Sequence, residues 1–274
     1  KIMSQNERLN FLIDKLLKEN KKYNSVEIPK SFEEKKLLFR SLINIRMPKE
    51  IDKEFLKIQD EFLFIENSNK GIIDWKDLKT IEKEFPNSKN PFMNKISIWQ
   101  GDITRLKIDA IVNAANSQLL GCFVPCHRCI DNAIHSAAGI ELRNECAEIM
   151  DNQGFEEPTG KAKITKAYNL PCKHVIHTVG PTVYGELNET HKRELKSSYL
   201  SCLECAVENK LRTIAFCCIS TGEYRFPNKE AAEIAVETVT EFLKENHDKI
   251  DIVVFNVFKE LDYRIYIDLV TEKS

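Results

Sequence analysis

The sequence predicts an α/β sandwich with a largely parallel central sheet, preceded by a helical extension. After residue 94, strand-like apolar runs alternate with amphipathic helical segments, a pattern typical of a sheet covered by helices. Before residue 90, apolar residues recur at helical spacing and strand-like runs are few. A turn-rich stretch from Pro86 to Pro91 separates the two parts. We therefore expect a helical extension over residues 1–93 and one α/β domain over residues 94–274.

The extension is predicted to contain short amphipathic helices. In residues 7–17 the apolar side chains fall on one helical face. Ser31 followed by Glu34 has the spacing of a capping box, which opens a helix. The predicted helices cover residues 7–17, 31–43, 48–64 and 77–85. We interpret the extension as a helical cap packed on the main domain, and a separate partner-binding role is the alternative.

The α/β domain is predicted from apolar runs and longer amphipathic segments. Strands are expected at residues 96–99, 110–112, 162–165, 174–178, 213–219 and 252–257, and helices at residues 130–150, 192–209 and 229–246. In such sheets, ligands bind at the carboxyl ends of the strands. The unusual polar and cysteine-rich segments of this sequence fall at those positions.

The composition is that of a globular protein without a block of like charge. Apolar residues make up 42% and charged residues 30% of the chain, and the formal net charge is -2. These values give no support for a disordered chain, a general nucleic-acid binder or a membrane-surface protein. We find no apolar run near the roughly 18 residues of a spanning helix, and no signal peptide. The nine cysteines are not spread like a disulfide framework, which favours a reducing, cytoplasmic location.

Two polar segments follow predicted strands and suit a ligand rich in hydroxyl and amine groups. Gly101–Thr104 contains the carboxylate of Asp102, and Asn113–Asn116 places two carboxamides around two alanines. A carboxamide both donates and accepts hydrogen bonds, and alanine allows backbone to approach closely. Either segment alone is weak evidence, because structural turns of this composition are common.

The segment Ser220–Pro227 lies between a predicted buried strand and a helix. Its small residues and Gly222 would expose backbone N–H groups, and the helix N-terminus that follows favours anions, so the segment suits a diphosphate. The rings of Tyr224 and Phe226 could stack on a base or sugar, or wall it off. As a lone motif, the segment is explained equally well by an ordinary turn.

The densest chemical signal is the segment 121–132, which contains three cysteines and a histidine. Cys122, His127 and Cys129 form a Cys-x4-His-x-Cys set, and thiolate and imidazole are ligands that Zn²⁺ prefers. Three protein ligands would leave one position open for water or substrate. A structural zinc with Cys126 as fourth ligand is the main alternative, but adjacent residues such as Cys126 and His127 rarely both reach one ion. Buried thiols beside a surface histidine are the remaining interpretation.

Several segments together resemble the macrodomain signature in order and spacing over about residues 94–274. They are Gly101–Thr104, Asn113–Asn116, Asp131–Gly139, Thr159–Gly160, His177–Pro181 and Ser220–Pro227. The stretch from Cys122 to Cys129 stands where most macrodomains have a glycine-rich loop before the catalytic helix. It resembles the zinc-containing macrodomains of bacteria and fungi, and the helical N-terminal region is similar to theirs. The resemblance implies a three-layer α/β/α sandwich with a mixed central sheet.

The resemblance also implies which residues bind ADP-ribose. Asp102 would accept a hydrogen bond from the adenine amino group, and Ile103 would line the base pocket. Asn116 would hold the distal ribose, with Asn113 supporting its loop. The diphosphate would be cradled by the backbone of Ser220, Thr221, Gly222, Glu223 and Tyr224.

The resemblance further implies a zinc site and a catalytic carboxylate. Zn²⁺ would be held by Cys122, His127 and Cys129, with its open position facing the distal ribose. Asp131 matches the aspartate that begins the catalytic helix in hydrolytic macrodomains, where it would act with Asn116. A plain helix N-cap is the alternative interpretation of Asp131.

Other ionisable residues near these motifs are interpreted as structural. His135 is expected to pack in the helix or to act through a neighbour, and His177 to be structural. Glu156 and Glu157 are expected to be solvated loop charges.

The function that the resemblance implies is hydrolysis of mono-ADP-ribose from modified proteins, with acidic side chains as the expected linkage. The expected partners are ADP-ribose and a mono-ADP-ribosylated protein, for which a lipoyl-carrier protein modified by a sirtuin-like transferase is one candidate. Two alternatives stay open: a module that binds ADP-ribose without cleaving it, and a hydrolase of small ADP-ribose derivatives. Three metal ligands with Asp131 favour the enzyme, because binding alone needs no open metal position.

Overall fold

The N-terminal part of the chain folds into helices, as the sequence predicts. The computed structural model describes residues 2–271, so residue 1 and residues 272–274 of the predicted domain ranges lie outside the described residues. The helices of this part are α1 (Gln5–Lys18), α2 (Phe32–Ile45), α3 (Lys53–Asn69) and α4 (Ile81–Glu84).

Capping residues decide where these helices begin. The Ser31 hydroxyl accepts a hydrogen bond from the Glu34 amide and opens α2, which confirms the predicted helix start. The reciprocal bond of a capping box, from the Ser31 amide to the Glu34 side chain, is absent among the described residues. The sequence predicts that the third helix starts at residue 48. Helix α3 instead starts at Lys53, because Asp52 supplies the cap by accepting a hydrogen bond from the Phe55 amide. The start is therefore set by the carboxylate and not by Pro48.

A mixed sheet of six strands forms the centre of the structure. The strands of the chain are β1 (Ile73–Asp74), β2 (Ile96–Gln100), β3 (Leu106–Lys107), β4 (Ala110–Ala114), β5 (Ala162–Lys166), β6 (His174–Thr178), β7 (Thr213–Phe216) and β8 (Ile252–Val257). The central sheet has the order β2-β8-β7-β4-β6-β5, and β1 pairs with β3 beside it. All neighbours in the central sheet are parallel except β5, which runs antiparallel to β6. The expectation of a mixed sheet is confirmed.

Helices follow or connect these strands. They are α5 (Ile130–Ala138), α6 (Ile140–Gln153), α7 (Glu189–Glu208), α8 (Asn228–Asn246) and α9 (Glu260–Thr271). Helix α9 was not predicted from the sequence. Among residues 2–271, no helix combines the length and apolar character needed to cross a membrane.

The prediction of a single helix over residues 130–150 is wrong, because the helix is interrupted at Gly139. This glycine has φ +99°, a left-handed conformation that a side chain disfavours. The Gln59 side chain of α3 packs against it and accepts a hydrogen bond from the Ile140 amide at 3.0 Å. A contact from the N-terminal helices therefore fixes where α5 ends and α6 begins.

Two hydrophobic clusters stabilise the two parts of the chain. The larger one surrounds the central sheet, where all six residues of β8 and all four of β7 are buried. Buried apolar runs of this kind are typical of parallel strands covered on both faces. The smaller cluster is built from α1, α2 and α3 and includes Ile140 at the start of α6. The helical extension thus packs on the α5–α6 region.

Parallel pairing brings the predicted site segments to one edge of the sheet. Strands β2, β7 and β4 end at the same edge, so the segments that follow them lie there. The first residues after the strands remain tied to neighbouring strands: Gly101 donates its amide to Val257 O, and Ala115 donates to Thr178 O, each at 2.9 Å.

Candidate active site

Asp102 lies at the end of β2 with its carboxylate fixed by the turn that follows. Its Oδ1 accepts from the Thr104 amide at 2.9 Å and from the Thr104 hydroxyl at 2.6 Å. No described residue forms a hydrogen bond with Oδ2, so this oxygen is available to a ligand donor. The side chain of Ile103 is 1% exposed and packs in the main core.

Asn113 connects two buried ionisable groups. It pairs with His177 across β4 and β6, which places the two side chains on the same face of the sheet. The Asn113 amide nitrogen donates to Asp131 Oδ1 at 2.8 Å and lies 3.1 Å from His177 Nδ1. With Nδ1 as acceptor, His177 Nε2–H donates to the Thr165 hydroxyl at 3.0 Å. The network fixes the Asp131 side chain under the edge of the sheet.

Burial shifts the ionisation of this network. It raises the pKa of Asp131 to about 6, although the hydrogen bond from Asn113 and the charge of Arg143 act in the opposite direction. It lowers the pKa of His177 to about 3. Asp131 is not the helix cap, since Cys129 occupies that position and its Sγ accepts from the Asn132 amide at 3.4 Å. The alternative interpretation of Asp131 as an N-cap is therefore wrong.

Asn116 shapes the turn that leads into the cysteine-rich segment. Its carboxamide donates to Gly121 O at 3.3 Å and accepts from the Gln118 amide at 3.1 Å. Gly121 has φ +84° and lies against the His135 ring, where an added Cβ would come within 3.0 Å of ring atoms. A glycine is required at this position for both reasons.

The three predicted metal ligands come together. One ligand atom from each of Cys122, His127 and Cys129 lies within 4.8 Å of the other two. His127 Nδ1 is buried and has no hydrogen-bond partner among the described residues. Burial raises the pKa of the Cys129 thiol to about 12, and the neighbouring Cys122 and Asp131 add to the rise. Two sulfurs and one imidazole nitrogen are a donor set that fits a zinc ion.

Cys126 points away from this set. Its backbone is left-handed, with φ +54°, which turns the side chain towards α2. Its Sγ lies 3.3 Å from the Ser41 hydroxyl and 3.5 Å from Leu37 O, and its amide donates to Asn44 Oδ1 at 2.9 Å. Cys126, the cysteine of the segment outside the predicted ligand set, thus anchors it to the N-terminal helices.

The loop after β7 exposes backbone donors, as expected for an anion site. Ser220 and Arg225 are left-handed at φ +67° and +60°, and the Phe226 amide closes the loop by donating to Ser220 O at 2.8 Å. Within residues 2–271, the amides of residues 221–224 have no hydrogen-bond acceptor. Such unpaired N–H groups suit an anionic ligand.

The two aromatic residues of this loop differ in exposure. Tyr224 is half-buried and packs against the small cluster of Ala115, Leu119 and Val179 at the ends of β4 and β6. The Phe226 ring is 1% exposed and belongs to the main core. Tyr224 is therefore the ring of this loop that a ligand can reach without repacking.

Known proteins similar to this chain share one family. The Macro domain family matches residues 112–235. A protein-ADP-ribose hydrolase of Treponema medium is 52% identical to this chain, over 96% of the chain and 98% of the relative. The chain belongs to the macrodomain family.

Two further relatives extend the similarity. A protein-ADP-ribose hydrolase of Staphylococcus aureus is 46% identical, over 97% of this macrodomain chain and 96% of the relative. The crystal structure of a Trypanosoma brucei macrodomain in complex with ADP-ribose has a TM-score of 0.64 and 31% identity, and covers 84% of this chain and 94% of that one. The predicted macrodomain fold is confirmed. Coverage of nearly the whole chain means that the sequence similarity to the two hydrolases extends over the N-terminal region.

The N-terminal helices of this macrodomain brace the cysteine-rich segment, which sequence reasoning missed. Arg40 of α2 donates to Asn132 Oδ1 at 2.8 and 3.1 Å, and Asn132 in turn donates to Val124 O at 3.0 Å. Buried Arg143 of α6 donates to Cys122 O at 3.2 Å and to Asn44 O at 2.7 Å. Only the fold brings these residues together, so no local pattern in the sequence could have indicated them.

One expectation about a loop carboxylate is wrong. Glu157 is 2% exposed and pairs with Lys163 at 2.7 and 2.9 Å, and its amide donates to Ser117 O at 2.9 Å. It ties the loop before β5 to the segment after β4, whereas Glu156 is exposed as predicted.

The neutral, buried His177 should make this macrodomain less stable in acid. Between the ordinary histidine pKa of 6.5 and the native value of about 3, the unfolded chain binds a proton that the native state does not. The free energy of unfolding should therefore fall by about 2 kcal/mol from this residue between pH 7 and pH 5. Urea unfolding of the wild type and His177→Asn at both pH values measures the difference. An equal fall in both proteins would contradict the assignment, since all other titrating groups are common to them.

Proposed function

We propose that this macrodomain is a zinc-dependent hydrolase that removes mono-ADP-ribose from modified proteins, with acidic side chains as the linkage. The observation that carries the proposal is the convergence of Cys122, His127 and Cys129 immediately before Asp131, at the sheet edge where the Asp102 carboxylate and the open amides after β7 also lie. The names of the Treponema medium and Staphylococcus aureus relatives support the same activity.

Recognition of ADP-ribose begins with groups that the fold has already oriented. Thr104 holds the Asp102 carboxylate so that Oδ2 can accept from the adenine amino group. The amides of residues 221–224 donate to the diphosphate, and Tyr224 packs beside it. The carboxamide of Asn116 contacts the distal ribose. Because these donors and acceptors are held in place before binding, little ordering entropy is lost.

The cysteine-rich segment is the part that a non-catalytic binding module would not need. Cys122, His127 and Cys129 would hold Zn²⁺, and the braces from Arg40 and Arg143 keep the segment in one conformation. When bound, Zn²⁺ supplies Lewis acidity for a ribose hydroxyl or lowers the pKa of a bound water.

Asp131 supplies the base. Its carboxylate lies in the first turn of α5, two residues after Cys129, and Asn113 fixes its orientation through one oxygen. In the absence of the metal, burial raises the pKa of Asp131 to about 6, which makes it a stronger proton acceptor than an exposed aspartate. We assign it the proton of the water that attacks the anomeric carbon, or the orientation of that water. As water attacks, the bond from the anomeric carbon to the modified carboxylate oxygen breaks, and the protein side chain leaves as a carboxylate.

The proposed substrate is a protein that carries ADP-ribose on Asp or Glu, and a lipoyl-carrier protein modified by a sirtuin-like transferase is one candidate. The test incubates the zinc-loaded chain with proteins modified on Glu or on Arg and with acetylated ADP-ribose, and measures free ADP-ribose. We expect multiple turnovers on the Glu-linked protein. Stoichiometric binding without release would show a binding module, and turnover of the acetylated compound alone would show a small-molecule hydrolase.

A further inference from the structure

A contact between two loops joins the predicted metal site to the predicted diphosphate site. Glu223 Oε1, in the loop after β7, lies 2.9 Å from His127 Nε2, in the cysteine-rich segment. The His127 side chain is 29% exposed and that of Glu223 is 73% exposed. An ion pair this exposed contributes little to stability by itself. Its importance lies in which nitrogen of the imidazole it occupies.

The two ring nitrogens of His127 have different surroundings. Nε2 faces the Glu223 carboxylate, which can only accept a hydrogen bond when ionised, so a neutral ring that makes this bond carries its proton on Nε2. The lone pair is then on Nδ1, which is buried without a hydrogen-bond partner in the described part of the chain. His127 belongs to the set whose ligand atoms converge with the sulfurs of Cys122 and Cys129. The contact therefore favours the tautomer that leaves the buried Nδ1 free to bind a metal.

We propose that Glu223 is a positioning residue for the metal site: its carboxylate accepts the Nε2–H of His127 and presents Nδ1 to the ion held with Cys122 and Cys129. The second ring N–H of a metal-bound histidine generally donates a hydrogen bond to such a partner, which fixes the ring and raises its basicity. The backbone of Glu223 lies in the diphosphate loop, so one residue links both halves of the site. This inference rests on the zinc site of the proposed function.

The test measures the Zn²⁺ affinity of the metal-stripped protein by competition with a chromophoric chelator, without any substrate. Glu223→Ala should weaken Zn²⁺ binding about 10- to 100-fold. Glu223→Gln should fall between Glu223→Ala and the wild type, because its amide oxygen still accepts from Nε2–H but carries no charge. Glu186→Ala removes an exposed carboxylate that forms no hydrogen bond or ion pair with the described residues, and it should bind Zn²⁺ like the wild type.

A second measurement does not depend on the metal. Nitrogen chemical shifts of the His127 ring in the metal-free protein should show one tautomer, with the proton on Nε2, and a mixture in Glu223→Ala. The proposal is overturned if Glu223→Ala binds Zn²⁺ within twofold of the wild type, or if Glu186→Ala weakens binding equally. Failure of the wild type to release ADP-ribose would sink the hydrolase function while leaving these two results intact, so the two failures are distinguishable.

Discussion

Cys129→Ala is expected to abolish release of ADP-ribose from a modified protein and to lower the zinc content from one ion per chain to near none. Removing a direct ligand should weaken Zn²⁺ binding by more than the about 10- to 100-fold that the loss of a supporting group costs. Binding of free ADP-ribose should persist, because the Asp102 turn and the loop after β7 do not depend on Cys129. Metal analysis, isothermal titration with ADP-ribose and a turnover assay measure the three quantities.

Cys126 provides a matched control within the same segment. Its sulfur faces Ser41 and Leu37 of α2, so Cys126→Ser keeps a hydrogen-bonding group there and should retain both metal and turnover. Equal loss of zinc in Cys126→Ser and Cys129→Ala would contradict the three-ligand assignment and favour a closed four-ligand site. Full turnover by metal-free Cys129→Ala would show that the ion has no part in the reaction.

Asp131→Asn should lower kcat by about 10²- to 10⁴-fold, the range for loss of a general base. The substitution is nearly isosteric, and its carbonyl oxygen can still accept from Asn113, so ADP-ribose affinity and zinc content should change little. The melting temperature of the metal-free protein should rise at neutral pH. Burial raises the pKa of Asp131 to about 6, so above that pH the native state carries an unfavourable buried charge that asparagine lacks.

Asp102→Ala is the comparison for this variant. It removes the proposed acceptor for the adenine amino group, so KM should increase while kcat stays close to the wild-type value. A fall in kcat for Asp102→Ala as large as that for Asp131→Asn would mean that the two carboxylates do not have separate roles. Stopped-time assays over a range of substrate concentrations give both constants.

The sequence alone determined the elements whose cause is local. Apolar runs predicted the buried strands, because the parallel strands of this sheet are covered on both faces. Ser31 and Glu34 marked the start of α2, because the capping hydrogen bond joins neighbouring residues. The close spacing of Cys122, His127 and Cys129 in the sequence likewise predicted that their ligand atoms lie close together, as they do in the structure.

Only the tertiary structure decided the features that depend on residues far apart in the chain. Gln59 packs against Gly139 and accepts a hydrogen bond from the Ile140 amide where the helix is interrupted. Asn44 accepts a hydrogen bond from the amide of the left-handed Cys126, whose sulfur points away from the predicted metal ligands. The contact of Glu223 with His127 and the hydrogen bond from Asn113 to the buried Asp131 each join segments that no local sequence pattern connects. Hydrogen bonds and desolvation depend on which residues are close in space. These parts of the site therefore could not be predicted from the sequence, because they form only when the strands and the N-terminal helices pack together.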